Sequence, residues 1–127
     1  MPFEGKLNSF NLSYETIVTD GHPAVTRSLF MDDTVTAKLP AGTILKSIIN
    51  KDEDQNEIDG VAYLACTETD TPAAVLVEDF DPADPAGKKY AMCLVHGCVK
   101  TEFLTVGGKK PKLAMLDKLQ TLGIFAV

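Results

Sequence analysis

The chain predicts a β-rich α+β fold: a small mixed β body with one short C-terminal helix and an extended N-terminal arm. Three observations lead there. Short β-branched and apolar runs recur between clusters of proline, glycine and aspartate from Pro40 to Val106. Helical spacing of apolar residues occurs clearly only from Leu113 to Leu122. The first eighteen residues hold Phe3, Leu7, Phe10, Leu12, Tyr14, Ile17 and Val18, far too apolar for a solvating disordered tail.

The arm is taken as residues 1–31 and the body as residues 32–127. Phe10-Asn11-Leu12-Ser13-Tyr14-Glu15-Thr16 alternates apolar and polar with period two, the pattern of a strand with one buried face. Asp20-Gly21-His22-Pro23 then reads as a turn or loop. The segment forms either edge strands of its own domain or an arm that adds a strand to another protein. Phe3, Leu7, Phe10, Leu12, Tyr14 and Ile17 are the candidate binding residues.

In the body, Leu39-Pro40-Ala41-Gly42 is a turn, in which Pro40 fixes one backbone angle and Gly42 takes positive φ. Thr43–Ile49 follows as a strand, Asn50–Gly60 as an acidic loop, and Val61–Cys66 and Ala73–Val77 as two more strands. Asp79–Gly87, with two prolines and a glycine, breaks any continuing ladder. Tyr90–His96 is almost continuously apolar, as expected of a strand buried on both faces. Gly97 marks a bulge or a close backbone approach, and Cys98–Val106 continues extended. Pro111 suits a first helical position, Leu113, Met115, Leu116, Leu119 and Leu122 form the apolar stripe, and Gly123 fits just past the helix end. Lys109, Lys110 and Lys112 meet the positive end of that helix dipole, which is unfavourable unless an acid or a partner lies nearby. Ile124–Val127 is a final strand or a contact patch.

Length and composition bound the function. With 127 residues, 45% hydrophobic and 24% charged, the chain makes one domain with a real core. No apolar run nears the roughly 18 residues that span a bilayer. The N-terminus lacks the pattern of a signal peptide, so the expectation is a chain made and used in a cytoplasm. Cys66, Cys93 and Cys98 are odd in number and irregularly spaced, and are read as reduced, buried thiols. Residues 51–86 carry eleven acids against one lysine, a net of −10, while residues 87–127 carry seven lysines against two acids, a net of +5. Arg27 is the single arginine in a chain of net charge −6, which argues against nucleic acid as a partner. The two blocks are either solvated surface or faces through which copies of the chain meet.

Reaction chemistry finds little footing. Asp52-Glu53-Asp54-Gln55-Asn56 starts like a calcium loop, but Glu57 replaces the required glycine and Tyr63 stands where a bidentate glutamate belongs. Asp79, Asp81 and Asp84 sit beside proline and glycine, where such residues make turns. Two histidines and three scattered cysteines offer no paired zinc spacing. His96 and Cys98 have the residue types of a thiol hydrolase, but side chains two apart on a strand lie about 7 Å from each other. Gly107-Gly108-Lys109-Lys110 lacks the remaining P-loop features. The expectation is no enzyme, no metal and no cofactor.

The order of segments carries a resemblance. Leu39-Pro40-Ala41-Gly42-Thr43-Ile44-Leu45, then Ala74-Val75-Leu76-Val77-Glu78-Asp79 with Asp81, then Val95-His96-Gly97-Cys98-Val99 and Leu122-Gly123-Ile124 resemble the lambda-type bacteriophage head decoration proteins over residues 36–127. The resemblance implies a trimer that binds the major capsid protein on the outer surface of an expanded head and cements the head against genome pressure. It places the protein on the virion, and in the host cytoplasm during assembly. It also implies an N-terminal arm that orders on the capsid and pairs with capsid strands. The arm itself and the Asn50–Gly60 loop do not match the family. The other readings are a small intracellular thiol enzyme using Cys98 and His96, and a phage tail or adhesion module.

Overall fold

The computed structural model describes residues 18–19, 24–51 and 57–127. The elements are β1 (Val18–Thr19), β2 (Val25–Phe30), β3 (Ile44–Lys51), β4 (Glu57–Ala65), β5 (Ala74–Leu76), β6 (Tyr90–Val99), α1 (Leu113–Leu122) and β7 (Ile124–Ala126). A single 3-10 turn, Thr101–Phe103, lies between β6 and α1. The fold is β-rich with one short C-terminal helix, as the sequence predicts.

The ten-residue β6 is the spine. Its first part, from Tyr90 to His96, pairs with β2, and Cys93 and Leu94 pair with β5 on the other edge. Its last two residues, Cys98 and Val99, lie between β1 and β7, and Gly97 also pairs with β7. The β7 pairing is parallel and the other strand pairings are antiparallel, so the body is mixed. Next to β5 come β3 and then β4. Met31 then bridges Tyr63, with the Asp32 N–H donating to the Tyr63 carbonyl at 2.8 Å, so β2, β6, β5, β3 and β4 close into a ring.

Gly97 makes the change of neighbours possible. The β2 register passes from Val25 opposite His96 to Thr26 opposite Leu94, which leaves Val95 as the extra residue of a bulge. Two residues on, Gly97 has φ 136°, and a Cβ there would stand 3.1 Å from the Ala24 Cα. The bulge thus falls at Val95, while Gly97 supplies the close backbone approach.

Two cores follow from alternation on the central strands. Val75, Val77, Ile44 and Leu94 face one way, where they join Val99, Leu104, Val106, Ile124 and the helix residues Met115 and Leu119. Ala74, Leu76, Leu45 and Cys93 face the other way and pack with Met31, Phe80 and Ala91 inside the ring. Burial on both faces is why these strands read as continuous apolar runs.

Several expectations are corrected. Lys51 pairs with Glu57, so both strands of the β3–β4 hairpin run into the predicted Asn50–Gly60 loop. Strand pairing is made by main-chain groups whatever the side chains carry, which is why acidity misled there. The extended run from Cys98 ends at Val99, because the Thr101 N–H and hydroxyl both donate to the Val127 carbonyl and turn the chain into the 3-10 segment. Pro111 precedes the helix rather than opening it, since Lys112 is the extended N-cap and Leu113 the first helical residue. Of the predicted stripe, Met115 and Leu119 are buried and Leu116 packs against them, but Leu113 is 74% exposed and Leu122 also faces out. Tyr90 is 53% exposed and meets Phe30 edge to face at 5.5 Å. Ile124–Ala126 is a strand, one of the two alternatives left open by the sequence.

The segment 1–31 is divided by these pairings. Val18–Thr19 and Val25–Phe30 lie on β6, and Met31 is buried in the ring core. The described body therefore takes in strands ahead of Asp32. The Asp20–Pro23 turn lies outside the described residues.

Candidate functional site

The six candidate binding residues, Phe3, Leu7, Phe10, Leu12, Tyr14 and Ile17, lie outside the described residues. What the structure fixes is the point from which they depart. Val18 pairs with Val99 and Thr19 with Cys98, and β1 has no second partner strand among the described residues. Beyond Val99 the backbone of β6 turns away into the Thr101–Phe103 segment. Among the described residues the ladder that holds β1 consists of Val18 and Thr19, and Val18 is the point from which the candidate residues lead off.

Segments far apart in the sequence are neighbours in the fold. Ile44 pairs with Val75 and Leu45 with Ala74, and the Ala41 N–H donates to an Asp79 carboxylate oxygen at 2.8 Å, so the Pro40 turn and the Ala74–Asp79 run form one unit. Gly42, at φ 96°, is the third residue of that turn, whose Thr43 N–H returns to the Pro40 carbonyl at 3.2 Å. A Cβ on Gly42 would overlap the Phe103 carbonyl oxygen at 1.9 Å. The other two segments also join: Gly97 pairs with Ile124, and its N–H donates to the Gly123 carbonyl at 2.9 Å.

In the alternative thiol reading, Cys98 is buried at 4% exposure, while His96 is half-buried, with its ring edge-on to Phe125 at 6.4 Å. Cys66 and Cys93 are also buried, and all three cysteines are free thiols, as expected from their spacing. Burial pushes the Cys93 thiol up to about 12, helped by the Glu78 carboxylate. Burial likewise lifts Cys66 to about 11, with Asp70 adding to the rise and Lys46 and Lys118 opposing it.

The aspartates of the 79–87 loop make turns. Asp81 accepts from the Ala83 N–H at 2.9 Å and Asp84 from the Ala86 N–H at 2.8 Å. Glu78 extends the sheet where β5 stops, its carboxylate accepting the Met92 N–H at 2.7 Å and pairing with Lys88 at 3.3 Å. Among the described residues no three His, Cys, Asp or Glu side chains gather as a metal site, and no helix is long and apolar enough to cross a membrane. The calcium-like run at 52–56 lies outside the described residues.

Part of the charge asymmetry is settled within the chain. Lys46 reaches Asp70 at 3.1 Å, and Lys118 donates to the Asp70 carbonyl at 3.1 Å. Glu68, from the acidic block, supplies the acid wanted at the helix start: its Oε2 accepts the Lys112 N–H at 3.3 Å. The side chains of Lys109, Lys110 and Lys112 make no ion pair among the described residues. Lys109 closes a tight hairpin with Val106 through Gly107 and Gly108, whose φ of 59° and 79° match the primed turn that glycine pairs favour.

The surface feature missed by sequence reasoning is the loop from Asp32 to Leu39. Two clefts flank it, both lined by Val35 and Thr36. The larger, about 290 Å³, has Met31, Val35, Phe80 and Pro82 as apolar walls, with Asp32, Asp33 and Lys89 among its lining residues. The smaller, about 240 Å³, lies against Leu39, Leu64 and Ala65. The clefts draw residues from separated segments, which no local pattern announces.

The chain matches no protein-family model, and no curated protein matches it either.

Proposed function

We propose that the protein is a capsid decoration protein: it binds as a trimer to the major capsid protein on the outer surface of an expanded phage head and stabilises the head against genome pressure. One observation carries the reading. The short segments that resemble the lambda-type decoration proteins are pairwise neighbours, Pro40–Leu45 against Ala74–Asp79 and Val95–Val99 against Leu122–Ile124.

The mechanism follows from the departure point at Val18. Residues 1–17, with alternating Phe10, Leu12 and Tyr14, add a strand to a capsid sheet, where main-chain hydrogen bonds give affinity and alternate side chains give register. Three such arms on one trimer turn weak single contacts into firm attachment, because the second and third form at high effective concentration. The thiol reading is disfavoured by burial of Cys98, which leaves the nucleophile without access to a substrate.

The test mixes the purified chain with expanded and unexpanded heads of a lambda-type phage stripped of their own decoration protein. Binding to expanded heads alone is expected, and binding to neither overturns the reading. A chain lacking residues 1–17 should keep the folded body and lose attachment; if it still binds, the arm has no part in the mechanism.

A further inference from the structure

Each copy carries two complementary surfaces on different cores. The larger cleft opens beside Met31 and Phe80, part of the core inside the ring. Asp32 and Asp33 line it, Asp33 being 83% exposed, and its Pro82 and Ala83 belong to the loop that also carries Asp81 and Asp84. Lys89 offsets part of this charge through a 3.6 Å pair with Asp33, and the acids still outnumber it. The second surface is the Lys109–Leu113 segment, attached through Val106 and Met115 to the core beneath the helix. It presents Lys109, Lys110 and Lys112 beside Leu113; among the described residues none of the three lysines is ion-paired and Leu113 is the most exposed large hydrophobic side chain.

We infer that the Lys109–Leu113 segment of one copy docks in the Met31–Phe80 cleft of the next, with Leu113 against the apolar walls and the lysines over Asp32, Asp33 and the neighbouring loop. The match is double, apolar to apolar and basic to acidic, and no hydrogen bond or ion pair joins the two surfaces within one copy among the described residues. The Gly107–Gly108 turn leads into the segment, whose Lys109, Lys110, Lys112 and Leu113 are all exposed. Contact between unlike surfaces is heterologous, so copies join head to tail and close into a ring when the rotation allows. Only the ring size of three rests on the decoration reading; the pairing rests on the two surfaces.

Sedimentation of the full chain tests it without heads. At about 0.05 M salt the chain should sediment as a discrete assembly that shrinks toward monomer at about 0.5 M, because exposed charge pairs are screened. Lys109→Glu with Lys110→Glu should weaken association by about tenfold or more, since like charges then face each other. Register is tested by charge reversal on the other side: Asp33→Lys alone should weaken assembly, combined with Lys109→Glu and Lys110→Glu it should recover part of their loss, and no recovery overturns the register. Leu113→Ser should weaken assembly at the lower salt concentration, with an unchanged circular dichroism spectrum showing that the fold is kept. A wild-type monomer at low salt, or an assembly indifferent to Lys109→Glu and Lys110→Glu, overturns the pairing. A chain that assembles as described and ignores heads overturns only the decoration reading.

Discussion

Gly97 and Gly123 meet through a 2.9 Å hydrogen bond from the Gly97 N–H to the Gly123 carbonyl, which ties the turning point of β6 to the end of α1. Both glycines have positive φ, 136° and 90°. Gly123 also ends the helix through its own N–H, donated to the Gln120 and Leu119 carbonyls.

Glycine substitutions should therefore follow a definite order. Gly42→Ala should cost most, because its Cβ would overlap the Phe103 carbonyl at 1.9 Å and backbone yields poorly. Gly123→Ala combines a φ of 90° with a Cβ 2.3 Å from His96 Nδ1, and should cost about 2 kcal/mol or more. Gly87→Ala, at φ 67° with open space around it, should cost about 1 kcal/mol. Urea unfolding of the three variants gives the ranking, and an equal cost at all three would remove the close contacts from the account.

The helix should tolerate change on one side only. Leu119→Ala should lose about 3 kcal/mol, since Leu119 is fully buried against the outer core. Leu113→Ala should stay within about 0.5 kcal/mol in the monomer, because the side chain stands in solvent. Thermal unfolding in high salt separates the two.

At alkaline pH the buried thiols should weaken the fold. Folding raises Cys93 to about 12 and Cys66 to about 11 from the ordinary 9.0. The protonated thiol is thus the form that the folded state favours, and its contribution is full below about pH 9. It is lost as pH climbs toward 11 and 12, where the unfolded chain sheds protons that the folded chain keeps. Urea midpoints of a chain with Cys66→Ala and Cys93→Ala, each set against its own value at neutral pH, should fall less steeply above pH 9 than those of the parent.

Asp70 should act on the acid side. The Thr67 N–H, then Lys46 and the Thr67 hydroxyl, hold its carboxyl below the ordinary 3.8. A depressed carboxyl stabilises above its unfolded value, and that contribution goes as pH falls through the folded one. Asp70→Asn should flatten the acid limb of the stability curve below about pH 4, and an unchanged limb would show that this contact contributes nothing there.

How far the sequence carried can be seen in particular residues. The Pro40–Gly42 turn, the β5 and β6 runs, the Asx turns at Asp81 and Asp84, and Gly123 as helix cap were legible because each depends on neighbours a few residues away. The β3–β4 hairpin beyond Asn50 was hidden by its acids, since composition reports solvation and not main-chain pairing. Leu113 and Leu122 misled because a ten-residue helix shows only a narrow face to the core, and apolar spacing alone does not say where that face begins. The clefts beside Val35 and the role of Glu68 at the helix start depend on contacts across tens of residues. At the candidate site, the sequence marked residues 3–17 as sticky but could not say that the sheet edge beginning at Val18 lies beside Val99.

Cys98 and Val99 at the end of β6 hold β1 on one side and β7 on the other. During synthesis β3 can pair with β4 and then with β5, yet β1 and β2 lack their partner strand until Tyr90–Val99 emerges, and Val99 gains its second neighbour only with Ala126. Completion of the sheet thus waits on segments far apart in the sequence, which slows folding and leaves exposed strand edges in any chain cut before β7.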